Sequence, residues 1–455
     1  MLENNRKSET GNCKTETDCG KEPETRNSKP ETVRRSPWAW VPSLYFAEGI
    51  PYVIVMMVSV VMYKRLGISN TDIALYTSWL YLPWVIKPLW SPLVEMIRTK
   101  RFWIVAMQVL IGASLAMMAL TVPGPEFFRW TLAVFWLLAF SSATHDVAAD
   151  GFYMLGLPQY QQAAFIGVRT IFYRLAMIAA QGGLVVLAGQ LEPAIGIAGA
   201  WAAVLWLTAG VFASAALYHC FILPYPVPDR PAGRGERESL ATGYFQSISA
   251  FFRRRDILAV LAFLLFYRFA EAQLVKMVAP FLLDPAGKGG LGLTTGQVGF
   301  IYGTVGLIAM MTGGLIGGYV ISRRGLKFWI WIMVFVMHLP DLVFVYLSFA
   351  LPQDMNLIAA LVAVEQFGYG FGFSAYAVFM LMVAEGEYKT VHYALATGFM
   401  ALGMMIPGMF SGWIQEQVGY RNLFLWIMLS TIPGFIVPAL VRIDPEYGRK
   451  GRGAA

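Results

Sequence analysis

Thirteen ionisable side chains sit inside long apolar stretches of this chain, where chemistry is expected to concentrate. The acids are Glu48, Asp146, Asp150, Glu271, Asp341 and Glu365; the bases are Lys87, Arg169, Arg174, Arg268 and Lys276; His145 and His338 complete the set. A charge at the centre of a bilayer costs at least ~2.5–3.5 kcal/mol, so such groups persist where they are paired, hydrated or used. Buried acids can carry protons, and buried bases can hold an anionic solute. Asp146 and Asp150, four residues apart, share one helical face. Two poorly hydrated carboxylates in that arrangement repel, which suits a proton carrier.

The expected proton-coupling groups are Glu48, Asp146, Glu271 and Glu365. Arg174, Arg268 and Lys276 are expected to offer positive charge to the solute, with Tyr45, Tyr52, Tyr267 and Tyr369 as flat surfaces beside it. Asp150, Arg169, Lys87, Arg98, Arg101, Arg323 and Arg324 are expected to be gate or structural charges. At ~1.5 Å rise per residue, Glu48 and Arg174 fall near mid-bilayer, and Asp146 and Arg169 at matching shallower depth, so each pair is a candidate bridge. Asp150 has Arg98 or Arg101 as alternative partners. Arg268 and Glu271, three residues apart, can neutralise each other. His338 and Asp341 read as a local pair on a peripheral helix, and Lys87 can snorkel to the interface.

These residues need elements to hold them. The 455 residues are 57% hydrophobic and 14% charged, whereas soluble chains carry about 25% charged residues. Apolar runs long enough to span a membrane (~20 residues each) recur twelve times. Their centres lie near Met56, Tyr81, Gly112, Phe140, Ile178, Leu207, Arg268, Ile308, Val334, Gly370, Leu402 and Pro433. Twelve spans leave no room for a large soluble domain.

The polar residues 1–36 are expected to be a disordered cytoplasmic tail. A six-helix bundle is expected over 37–224, a cytoplasmic linker over 225–256, a second six-helix bundle over 257–442 and a cytoplasmic tail over 443–455. With the first segment inside, 25 of the 35 Lys and Arg residues fall in inner segments and five in outer loops. This is the positive-inside bias, and it puts both termini in the cytoplasm. It also accounts for the net charge of +7 without nucleic acid.

The halves echo each other. Phe46-Ala47-Glu48 recurs as Phe269-Ala270-Glu271, and Leu66-Gly67-Ile68-Ser69 as Leu291-Gly292-Leu293-Thr294. Two related halves are a common plan for secondary transporters. Acids recur in the first helix of each three-helix unit, which points to a shared polar cavity. The doubled glycine spacing Gly313-Gly314, Gly317-Gly318 reads as close helix packing. Cys13, Cys19 and Cys220 give no disulfide framework. No phosphate-binding loop and no zinc-ligand spacing occurs, so no cofactor, metal or catalytic residue is assigned.

Several stretches resemble a known family. LYFAEGIPY from Leu44, VIKPLWSPLVE from Val85, SATHDVAAD from Ser142, YRLAM from Tyr173, FYRFAEA from Phe266 and VEQFGYGFG from Val364 are similar to patterns of the major facilitator superfamily. The resemblance is to its AmpG muropeptide-permease branch, which also includes the eukaryotic acetyl-coenzyme A transporters, and runs from about Leu44 to Val441. In the superfamily's G-x-x-x-D-R-x-G-x-K loop, Ser91 stands for the first glycine and Ser322 for the acid. Asp146 and Asp150 match the branch's paired aspartates. Glu48 stands where the branch has a small neutral residue, and His145 where it has an amide.

The resemblance implies an all-α membrane protein of twelve helices, in the bacterial inner membrane. It implies proton-driven import of an anionic anhydromuropeptide by alternating access, with small-molecule solute, protons and lipid as partners and a monomer as the working unit. Other cargo classes are a peptide, an acetyl-coenzyme A-like solute or a siderophore. A rival class is a membrane acyltransferase, from the H-x4-D spacing of His145 and Asp150. On a helix that spacing puts the two side chains about 140° apart, poorly placed to act together. A non-transporting sensor is a third class.

Overall fold

The computed structural model describes residues 35–449 apart from 227, 228, 230–233 and 387; the described residues form helices and turns without a strand. Almost all of the expected N-terminal tail lies outside them. Nine continuous helical stretches are long and apolar enough to cross a bilayer. Two of these, Ala164–Ile222 and Lys389–Leu440, hold 59 and 52 residues. At ~1.5 Å per residue each is far longer than the ~30 Å hydrocarbon core, so each must turn back. The turns are at Gly196 (φ 74°, ψ 166°) and Gly419 (φ 75°, ψ 169°), a conformation open to glycine at little cost. A further span joins two shorter helices, Asn70–Trp79 and Leu82–Ile97.

Twelve spans result: α1 (Pro37–Arg65), α2 (70–97), α3 (Lys100–Thr121), α4 (Phe127–Gly156), α5 (159–195) and α6 (197–222), then α7 (Ile257–Leu283), α8 (Thr295–Arg324), α9 (Leu326–Ala350), α10 (Met355–Ala384), α11 (389–418) and α12 (420–440). Every expected span centre falls inside one of them. Gly196 and Gly419 occupy the equivalent α5–α6 and α11–α12 turns of the two halves. The echoed turns also match: Gly67 (φ 86°) and Gly292 (φ 68°) each precede a helix cap, where Ser69 Oγ accepts from Asp72 N–H at 3.0 Å and Thr294 Oγ1 from Gln297 N–H at 3.3 Å. The sequence repeat is a structural repeat.

Apolar side chains such as Leu120, Leu258 and Leu315 are 68–81% exposed around the bundle, as expected of surfaces that meet lipid. Within the stretch between the halves, a helix over Arg234–Phe252 crosses from one half to the other. Tyr244 donates to the Pro88 carbonyl of α2, and the Ser247 carbonyl is 3.1 Å from His392 Nε2 of α11. This side of the bundle is the linker face, and the opposite side the far face.

At the far face the halves are fastened together. Lys64 Nζ reaches Asp284 Oδ2 and Asn70 Oδ1, both at 2.7 Å. Asn70 Nδ2 donates to Gln415 Oε1 and Tyr420 Oη at 2.6 and 2.9 Å, and Tyr420 Oη donates to Asp284 at 2.6 Å. Arg65 grips both oxygens of Glu192, which also accepts from Thr295 at 2.7 Å. Glycines bring the backbones together: a Cβ on Gly189 would lie 2.2 Å from Gly296 N, and one on Gly412 would lie 1.9 Å from Asn70 O. Toward the linker face α5 and α8 make little contact, in contrast to their packing at the far face. The bundle is fastened at the far face; toward the linker face the α5–α8 packing loosens, while α2 and α11 stay close, a Cβ on Gly398 lying 2.8 Å from the Val85 carbonyl.

Candidate functional site

Side chains on a helix lean toward its N-terminus, and this decides which buried charges meet. Helix α4 runs toward the linker face and α5 away from it. Asp150 therefore leans inward while Arg169 leans back toward the linker face, and the two meet at 2.9 Å. Tyr45 of α1 donates to the same carboxylate at 3.1 Å, with its ring 4.5 Å beneath the Arg169 guanidinium. Lys87 of α2 and Asp146 of α4, both on helices running toward the linker face, lean the same way from similar depth and form an ion pair. Glu48 of α1, 6% exposed, lies within hydrogen-bonding reach of Asp146, and its Oε2 has no partner.

This arrangement corrects several expectations. Asp146 pairs with Lys87 instead of Arg169, and Asp150 with Arg169 instead of Arg98 or Arg101. Lys87 points to Asp146 and does not snorkel. Arg101 donates to the Cys220 and Leu223 carbonyls and lies 3.9 Å from the Tyr225 ring centre; Arg98 lies over Phe102. Arg323 and Arg324 stack on Tyr319 and Phe328 at the linker face, away from both charge clusters. His145 contacts Gln108 Nε2 at 3.0 Å, and Gln108 Oε1 contacts His219 Nδ1 at 2.9 Å, so His145 and Asp150 serve different networks.

Three bases have no carboxylate partner among the described residues. Arg174, half-buried, does not meet Glu48, and its Nη1 contacts the Met177 sulfur of its own helix at 4.0 Å. Arg268 does not bridge to Glu271, because the helix is interrupted at Tyr267–Arg268 and the turn aims the two side chains apart. Its guanidinium bonds to the Tyr369 hydroxyl and lies 5.0–6.0 Å from the ring centres of Tyr369, Phe373 and Tyr376. Lys276, 2% exposed, donates to Thr77 Oγ1 of the other half at 2.9 Å and lies 5.2 Å from the Tyr81 ring centre.

Tyr52 joins the two sets, within electrostatic range of both Asp146 and Arg268 and with its ring 5.3 Å from Trp84. Tyr81 lies in the same range of Tyr52, Arg268 and Tyr369. Aromatic rings therefore surround two of the unpaired bases, Tyr369, Phe373 and Tyr376 at Arg268 and Tyr81 at Lys276. Tyr267 is not among them: its ring is fully buried and its hydroxyl donates to the Gly372 carbonyl at 3.1 Å.

The other acids gather in the C-terminal half. Carboxylate oxygens of Glu271 (α7), Asp341 (α9) and Glu365 (α10) lie within 4.8 Å of one another, all buried. Asp341 is thus not a peripheral residue with only His338 for company; α9 breaks at Leu339–Asp341 and turns it inward. The expected shared set of acids is instead two clusters, one in each half.

The remaining residues of interest were missed. Lys64, Arg65, Glu192, Asp284, Asn70, Gln415 and Tyr420 form the far-face fastening, yet read in sequence as ordinary loop-end polar residues. Nor does the sequence signal the π-helical turns Ile54–Val58, Ala179–Leu184 and Ile301–Gly306, of which Ala179–Leu184 packs against both of the others. Such turns recur at functional sites.

With two six-span halves around a polar centre established, comparison with known proteins is direct. The sequence profile of the Major Facilitator Superfamily matches residues 43–391. The chain belongs to the major facilitator superfamily. Within this superfamily it is similar to the Anhydromuropeptide permease of Escherichia coli (strain K12), 25% identical over 89% of this chain and 80% of that one. It is also similar to Putative transporter AmpG 4 of Rickettsia conorii, 24% identical over 87% of this chain and 94% of the relative. These relatives place it in the AmpG-like branch. Among solved structures, the nucleoside transporter NupG superposes with a TM-score of 0.65 at 18% identity, over 89% of this chain and 98% of the other. A bacterial homologue of the lysosomal transporter Spinster, in an inward-facing and unoccupied conformation, superposes at 0.65 with 15% identity over 91% and 96%. A major facilitator of this branch is a multi-pass secondary transporter of small molecules and not an enzyme.

Proposed function

We propose that this transporter is a proton-coupled symporter that carries an anionic cell-wall fragment, an anhydromuropeptide, into the cytoplasm by alternating access. Arg174, Arg268 and Lys276 carry this reading. Three bases at membrane depth without carboxylate partners are costly unless an anion completes them. Arg268 sits on aromatic rings, which stabilise a cation electrostatically and leave donors free for a ligand oxygen. Tyr52, Tyr81 and Tyr369 offer flat surfaces to a sugar ring, and relatives named as anhydromuropeptide permease or AmpG support this cargo class.

Coupling is assigned to Glu48 and Asp146. Two carboxyl groups can share a hydrogen bond only when one of them holds a proton. Lys87 stabilises the ionised partner, so the pair takes up one proton and releases it when Glu48 moves away from Asp146 into water while Lys87 stays beside the carboxylate. Asp150, Arg169 and Tyr45 form the neighbouring latch between α1, α4 and α5. The linker face is the cytoplasmic side of the inner membrane in this reading, with both termini there. The fastening of Lys64, Arg65, Asp284 and Glu192 is then the periplasmic gate, shut while the centre opens to the cytoplasm.

The test is uptake into proteoliposomes under an imposed pH gradient, comparing labelled anhydromuropeptide, a free peptide and acetyl-coenzyme A. Anhydromuropeptide is expected to accumulate above its external concentration, and a protonophore to discharge it. Accumulation of a different solute would overturn the cargo assignment, and uptake indifferent to the gradient would overturn the coupling.

A further inference from the structure

Glu271, Asp341 and Glu365 are each no more than 2% exposed, and five of their six carboxylate oxygens have no hydrogen-bond partner. The sixth, Glu365 Oε2, accepts from Gln366 Nε2 at 3.0 Å. Arg268, one turn from Glu271, is engaged with Tyr369. Among the described residues no Lys or Arg forms an ion pair with any of the three. Three carboxyl groups so close in a water-poor interior cannot all stay ionised alone: they hold either protons or a cation.

His338 supplies an independent indication. Its Nε2 is 3.3 Å from the Tyr267 carbonyl, which can only accept, so in the neutral ring the proton is on Nε2. Nδ1 then presents a lone pair toward Asp341 Oδ2 at 3.6 Å, beyond hydrogen-bond distance, and has no other partner. A lone pair held toward a carboxylate is repulsive, so the gap is filled either by a proton, on Nδ1 or on Asp341, or by a cation near both. The ring has little freedom to turn: a Cβ on Gly434 would come within 2.7 Å of His338 Nε2.

The backbone fits the same purpose. Helix α7 is interrupted at Tyr267–Arg268, just before Glu271, and α9 at Leu339–Asp341. Interrupted helices at membrane depth free carbonyl groups and are where transporters hold ions. Three oxygens within 4.8 Å of one another share a point no more than about 2.8 Å (4.8/√3) from each, close to the ~2.3–2.6 Å of calcium–oxygen contacts. Magnesium fits less well, because it needs ~2.0–2.1 Å octahedral contacts and keeps its waters.

We propose that Glu271, Asp341 and Glu365, with His338 at their edge, form a binding site for a hard, oxygen-seeking metal cation of the Na+ or Ca2+ type. The site ties α7, α9 and α10 together, so occupancy stiffens the C-terminal half against which the N-terminal half moves. It does not depend on which solute is carried.

The test uses the purified full chain in detergent, without cargo, so its failure leaves the transport reading standing. Binding of radioactive sodium and, separately, radioactive calcium is measured by equilibrium dialysis against choline chloride at constant ionic strength, with thermal unfolding in parallel. Saturable binding of one cation is expected, with a rise in unfolding midpoint. Glu271→Gln and Glu365→Gln are expected to weaken binding by roughly tenfold or more, and Glu48→Gln, in the other half, to leave it intact. Binding of neither cation above the choline background, the behaviour of a cluster neutralised by protons alone, would overturn the proposal. So would undiminished binding in Glu271→Gln; the dialysis result for the unmodified protein decides the matter if that variant does not fold.

Discussion

Lys64 at the end of α1 and Asp284 just past the end of α7 meet at 2.7 Å, with side chains 12% and 7% exposed. Helices α1 and α7 are equivalent in the structural repeat, so this ion pair joins the far-face ends of equivalent helices in the two halves. Asn70 and Tyr420 bond to the same pair, which makes it the centre of the far-face fastening.

Removing one partner of a buried ion pair costs ~3–5 kcal/mol, because the other charge stays buried. Lys64→Met is therefore expected to shift the protein strongly away from the far-face-closed state. The check is thiol labelling of Ala74→Cys, a fully buried position on α2, in a background with Cys13, Cys19 and Cys220 all replaced by serine. Labelling from the far side should rise in the Lys64→Met variant; an unchanged rate would show that the pair does not hold the gate.

Gly412 and Gly210 give a matched comparison. A Cβ on Gly412 would lie 1.9 Å from Asn70 O, whereas one on Gly210 would meet nothing within 4 Å. Glycine to alanine within a helix ordinarily stabilises by ~0.5–1 kcal/mol. Gly210→Ala should accordingly transport normally, and Gly412→Ala should lose most transport and expose Ala74→Cys to labelling. Equal behaviour of the two would contradict the close α2–α11 contact.

Asp150 and Arg169 form a pair that denaturation can weigh. Arg169→Gln leaves a partly buried carboxylate without its cation, at an expected cost of ~1–3 kcal/mol. Adding Asp150→Asn should recover much of that loss, giving a coupling of ~0.5–3 kcal/mol in a double-mutant cycle of unfolding midpoints. Additive losses would mean that the contact contributes nothing to stability.

Lys276 has a consequence for cargo binding. A hydrogen bond to a charged group is worth ~1.5–3 kcal/mol, or roughly 10- to 150-fold in affinity. Lys276→Met should raise KM for an anionic cargo by about that factor and have little effect on a carboxamide analogue. An equal change for both would place Lys276 in a structural role alone.

Much of the fold was legible because a bilayer demands ~20 apolar residues per crossing, and all twelve centres lie in observed spans. The repeat was legible because Gly67 and Gly292 perform the same turn. The pairings were less so. Depth alone matched Asp146 with Arg169, whereas the lean of side chains toward each helix's N-terminus gives Asp146 to Lys87 and Asp150 to Arg169. Asp341 was misplaced because its direction depends on the turn at Leu339–Asp341, which span counting does not reveal. Lys64, Asp284, Arg65 and Glu192 were overlooked because partners far apart in the chain, Lys64 and Asp284 by 220 residues and Arg65 and Glu192 by 127, leave no local pattern.

The account rests on proton exchange at Glu48 and Asp146 driving solute movement through the centre. Its most direct measurement compares the unmodified protein with Glu48→Gln in proteoliposomes loaded with a pH-sensitive dye. Cargo addition should acidify the lumen of vesicles bearing the unmodified protein. The variant should still exchange labelled for unlabelled cargo, yet neither acidify the lumen nor accumulate cargo against its gradient. If Glu48→Gln and Asp146→Asn both acidified the lumen and accumulated cargo like the unmodified protein, the coupling mechanism would be contradicted.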